Sequence, residues 1–138
     1  MQMRQLFVVA SAMIVTPLLA QNAMPAKLSG QYDWHSANNR KVTSIPVVLS
    51  EITTEGENIK GIISDFRTPS GACLSDSTPF SGTFRENVIN IKSERMKSQK
   101  ADETGCGGIT IEAKMDGKGA SGTLKWGTQA VPIYLEVK

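Results

Sequence analysis

His35 is the only histidine of the chain and stands two positions after Asp33. An imidazole beside a carboxylate is the base-and-orienter half of a nucleophilic site, and a third residue must supply the attack. Serines abound, yet none carries the flanking glycines of a nucleophile elbow. With a single histidine, a metal site would lean on carboxylates, and Asp33, Asp65, Asp76, Asp102 and Glu103 show no recognised ligand spacing. The run Gly105, Cys106, Gly107, Gly108 could turn amides toward an anion, but it lacks the lysine and following helix of a phosphate loop and reads as a turn around a cysteine. An acid, a base and a nucleophile do not converge. The sequence therefore points away from catalysis and calls for no metal and no cofactor.

Cys73 and Cys106 are the remaining reactive side chains, and their chemistry depends on the compartment. Arg4 opens a short polar start, Leu6 to Ala20 is an apolar run short for a bilayer, and small residues follow. That layout is a secretory signal peptide over about residues 1–23, with cleavage after Ala20, Ala23 or Ala26. No cysteine adjoins the apolar run, so lipid attachment is not expected, and neither is membrane insertion after cleavage. The protein is expected in a periplasm or secreted. In such an oxidising place the two cysteines pair as a disulfide.

Once Arg4 is removed from the 15 basic residues, 14 face 13 acidic ones, a net charge of about +1. No nucleic acid is implied by that balance. Locally, Arg85 to Lys100 carries Arg85, Lys92, Arg95, Lys97 and Lys100 against Glu86 and Glu94, a mildly basic stretch suited to an acidic partner or simply to solvent.

The elements that would hold these residues are strands. Apolar residues recur at every second position in short runs separated by turn residues, and no long segment has a helical period. Strands are predicted over Leu28 to Trp34, Val42 to Thr53, Asn58 to Phe66, Thr78 to Arg85, Val88 to Lys92, Gly108 to Met115, Gly119 to Trp126 and Gln129 to Val137. Residues 24–138 thus make one domain, an all-β, eight-stranded antiparallel up-and-down barrel with one disulfide. Pro46 and Pro132 fall within strands and cannot donate to a ladder, which keeps an incompletely closed barrel or a two-sheet sandwich in play. The change of parity between Leu49 and Ile52 predicts a bulge.

In four strands a glycine lies between two apolar residues on one face: Gly30, Gly61, Gly82 and Gly122. Repeated inward glycines predict tight coiling and sheet closure. The bulky inward set, which includes Tyr32, Trp34, Phe84, Trp126 and Val137, is enough to fill so narrow a barrel.

In a meander, alternate connections share an end. One end receives short turns at Thr54 to Glu57, Glu86 to Asn87 and Asp116 to Lys118; the other receives His35 to Lys41, Arg67 to Ser77 and Ser93 to Gly107. Long loops gathered at one end of a rigid scaffold are where binding resides, and both cysteines fall there. The expected function is a non-catalytic module binding another protein, as an inhibitor for instance, through His35, Asn38, Asn39, Arg40, Arg67, Leu74, Arg95, Lys97 and Lys100. The alternative is a carrier holding a small lipophilic ligand among Tyr32, Trp34, Phe84 and Trp126.

Leu28, Ser29, Gly30, Gln31 and Tyr32 resemble the opening strand of small exported barrels, including bacterial periplasmic metalloprotease inhibitors and the avidins. The inhibitors' disulfide joins earlier strands, and the residues after Tyr32 do not reproduce the avidins' ligand-contacting loop. No functional residue is carried over.

Overall fold

A computed structural model describes residues 23–99 and 106–138. Alternating burial closes eight strands into one antiparallel barrel: β1 (Leu28–His35), β2 (Val42–Glu55), β3 (Asn58–Ser64), β6 (Thr78–Arg85), β7 (Val88–Ser93), β9 (Thr110–Met115), β10 (Gly119–Trp126) and β11 (Gln129–Val137). Each pairs with its neighbours in the chain, and β1 closes on β11 through Leu28↔Val137 to Gln31↔Tyr134. The barrel is an up-and-down meander, and it is neither open nor a sandwich. The described residues contain no helix.

The prolines mark local edges inside this closed sheet. Pro46 pairs with Gln31 on β1 but precedes the β2–β3 ladder, which begins at Val48↔Ser64; Pro132 pairs with Thr123 on β10 but lies past the end of the β1–β11 ladder. Each therefore sits where its strand has a ladder on one side only. The predicted bulge is present between Ser50 and Thr53, with Glu51 in the left-handed region at φ 52°.

The short-turn end is built from tight hairpins. Glu86 and Asn87, at φ 52° and 66°, have the paired positive dihedrals of a type I′ turn joining β6 to β7. At the β9–β10 turn the Asp116 carboxylate accepts from the N–H groups of Lys118 and Gly119 at 3.1 and 3.0 Å. Before β1, the Ala26 carbonyl accepts the Ile52 N–H at 3.1 Å and Met24 packs on the core, so this short segment belongs to the folded domain. Residues 1–22, with the expected signal peptide and Ala20, lie outside the described residues.

One apolar cluster fills the barrel, running from Leu28, Ile45 and Leu49 to Ile111, Leu124 and Leu135. The inward glycines leave little void beside it. A Cβ at Gly30, Gly82 or Gly122 would overlap a carbonyl oxygen of the adjacent strand, and at Gly61 it would lie 2.8 Å from the Phe80 ring. Val137, expected inward, is 40% exposed, because its strand has by then run past the start of β10.

The largest departure from the sequence reading is a second, three-stranded sheet. The strand predicted to continue through Phe66 ends at Ser64, and Asp65, at φ 61°, redirects the chain. β4 (Phe66–Arg67), β5 (Cys73–Ser75) and β8 (Lys97–Ser98) then form a small lid with β5 in the middle. Segments of two or three residues are too short to show any period.

Candidate functional site

The lid crosses the long-loop end of the barrel. β4 leaves β3, and yet the Phe66 ring lies 5.7 Å from that of Trp126 on β10, four places away around an eight-stranded wall. Phe66 also packs on Tyr32 at 5.6 Å, Tyr32 on Trp126 at 5.3 Å, and Trp126 on Trp34 at 5.9 Å. Tilted rings at these separations attract through their quadrupoles as well as by burial. The cluster closes the barrel's end like a stopper. Cys73 in β5 is bridged to Cys106 ahead of β9, with a Cα–Cα distance of 5.8 Å, and this ties the lid to the far wall.

Tyr32 is the buried base of the stopper, and its hydroxyl donates to the Arg67 carbonyl at 2.6 Å. Burial pushes the phenol above its ordinary range, and the nearby Arg67 guanidinium acts in the opposite direction without offsetting it. The folded protein therefore holds the proton while the unfolded chain releases it above about pH 10. The bound-proton difference then favours unfolding as pH rises, so stability should fall by roughly 1.4 kcal/mol per pH unit above that point. Tyr32→Phe should abolish this alkaline slope and cost about 1 kcal/mol at neutral pH, where the Arg67 carbonyl loses its donor. Urea unfolding at about pH 8 and about pH 11 measures both.

Beside the stopper is an open cleft of about 640 Å³, walled by Trp34 and Trp126 on the barrel side and by Thr68 to Cys73 on the lid side, with Ser36, Lys41, Thr43 and Gln129 at its margin. The lid wall is a closed loop: the Thr68 N–H donates to the Cys73 carbonyl at 2.9 Å, and the Thr68 hydroxyl accepts the Cys73 N–H at 3.2 Å. Ser70 accepts the Ala72 N–H at 3.3 Å. The opposite margin is held by the 35–41 loop, where the Ser36 hydroxyl donates to Asn38 Oδ1 at 2.8 Å and accepts the Lys41 N–H at 3.1 Å. The walls are thus fixed by their own hydrogen bonds and the disulfide.

The residues singled out from sequence divide between this end and elsewhere. His35 is exposed at the end of β1, opposite Val42, and Asn38, Asn39 and Arg40 are exposed on the loop that follows, where Asn38 closes the turn by accepting the Arg40 N–H and Asn39 takes φ 57°. Arg67 is exposed on the lid and Leu74 half-buried, with Lys97 its cross-strand partner. Arg95 holds the Cys106 carbonyl at 3.0 Å and so has a structural task. Lys100 lies outside the described residues. Of the four aromatic residues proposed to line a cavity, Tyr32, Trp34 and Trp126 come together, while Phe84 pairs with Ile89 beside the β6–β7 turn at the opposite end. The tryptophans are half-buried at the rim rather than inside the barrel. Ser36, Lys41, Thr43, Thr68, Pro69, Ser70, Ala72 and Gln129 line the cleft without being singled out from sequence, since loop and strand-end residues carry no periodic signal.

No group of three or more potential metal ligands occurs among the described residues. A comparison with protein-family models, with curated proteins and with solved structures finds no match.

Proposed function

We propose that this protein is an exported binding module, without catalytic action, that captures another protein through its long-loop end. The observation that carries the reading is the meeting of both tryptophans with the disulfide-tied lid in one open, preformed cleft. Aromatic side chains that are half-buried and backed by a rigid floor are the anchors that dominate protein interfaces, because little order is lost when a partner covers them. A disulfide-tied fold also suits a periplasmic or extracellular place of work.

The oxidised domain, tethered by its C-terminal end, should capture a discrete protein from the native envelope or surrounding medium. A variant with Cys73 and Cys106 both replaced by serine should lose it, and Lys97→Glu on the lid should weaken it while leaving the melting temperature within about 1 °C. Equal capture by the oxidised protein and the double-serine variant would remove the lid from the binding surface.

A further inference from the structure

Resting on the reading of the long-loop end as the binding end, we infer that the tryptophan cleft anchors an extended acidic segment of the partner protein. A proline or aliphatic side chain lies against the two indoles, and a neighbouring carboxylate meets Lys41.

Charge supports this occupant first. Lys41 is the one charged residue lining the cleft, with no aspartate or glutamate among the other lining residues, and its ammonium has no ion-pair partner among the described residues. The exposed Arg40 precedes it in the same loop. A cleft with a free cation and no carboxylate attracts an anionic group and disfavours a cationic one.

Shape and hydrogen bonding narrow the class further. The Trp34 and Trp126 rings pack on one another with centroids 5.9 Å apart and planes inclined at 46°, so together they form one aromatic wall of the cleft, and Pro69, Ala72 and Cys73 supply an apolar wall opposite. Aromatic-lined clefts take prolines and aliphatic side chains from extended peptides. The hydroxyls of Ser36, Thr68 and Ser70 are engaged with their own loops, while the Thr43 hydroxyl, the Gln129 amide and the two indole N–H groups make no internal hydrogen bond among the described residues. An amide and a hydroxyl offer a donor and acceptors to match a peptide backbone.

The test is selection of a random linear peptide library on the oxidised protein, followed by titration of the enriched peptides against tryptophan emission. Enriched peptides should pair Asp or Glu with a nearby proline or aliphatic residue and should change the emission saturably. Lys41→Glu should weaken them about tenfold or more, as loss of a charge-assisted contact implies, with an unchanged far-ultraviolet spectrum. Lys118→Glu, at the opposite end, should bind as the wild type does. Enriched peptides lacking acidic residues, indifference to Lys41→Glu, or saturable binding of neutral oligosaccharides in their place would each overturn the assignment. A protein captured equally by wild type and Lys41→Glu, but not by the double-serine variant, would overturn it too while leaving the binding end intact.

Discussion

Alanine at Gly82 should abolish folding or cost at least about 3 kcal/mol, although it adds a single methyl group. The added Cβ would overlap the Asn90 carbonyl oxygen and lie 2.7 Å from the Ile91 Cα, and both belong to backbone already held in the β6–β7 ladder. A side-chain neighbour could rotate away. Backbone in a closed barrel can yield only if the ladder opens, so the usual cost of overpacking is a lower bound here. Two control glycines set the scale. Gly107 has no heavy atom within 4 Å of an added Cβ, and its alanine variant should stay within about 0.5 kcal/mol of wild type. Gly117 is equally open but has a φ of +96°, so alanine there should cost about 1–2 kcal/mol through backbone strain alone. Urea midpoints should fall from Gly107→Ala through Gly117→Ala to Gly82→Ala, and a Gly82→Ala protein as stable as the Gly107 variant would show that the strands coil less tightly than this.

Loss of the Cys73–Cys106 bridge should have the next largest effect. The bridged residues are 33 positions apart, and closing a loop of that size restricts the unfolded chain by roughly 3 to 4 kcal/mol in the chain-entropy model. For a domain of this size that corresponds to a fall in melting temperature on the order of 10–20 °C. The damage should be local before it is global. Phe66, Met96 and Ser75 of the lid region are buried, and the Ser75 hydroxyl donates to the Ile63 carbonyl at 2.7 Å, so the barrel should persist at low temperature with a loosened lid. Amide exchange should therefore accelerate in Phe66 to Ser75 and at Lys97 and Ser98 before it does in β9 to β11. Uniform acceleration across both sheets would mean that lid and barrel form one cooperative unit.

The barrel was legible in the sequence because its determinants are periodic. Ile109, Ile111, Ala113 and Met115, like Val131, Ile133 and Leu135, alternate strictly and are all buried as that alternation predicts. Given a meander, the loop lengths put the two cysteines at one end, and there they meet. The lid was not legible. Its strands are two or three residues long, and a backbone reversal at Asp65, which is not a glycine, creates it. Without the lid, Phe66 reads as the last residue of a wall strand, when its ring in fact stops the barrel's end. The same omission put Phe84 with the tryptophans, since sharing the inward face of a sheet does not place residues at the same height along the barrel.

The Lys138 N–H donates to the Lys27 carbonyl at 3.2 Å, which brings the first and last strands' outer ends together among the tight turns, far from the lid. A short linker joining these ends would allow circular permutation with new termini in the Gly56 or Gly117 turns. The same geometry makes the domain a one-sided display scaffold. Anchored to a bead or a phage coat at the outer end of β1 or β11, it would hold its tryptophan cleft outward, toward whatever passes in solution.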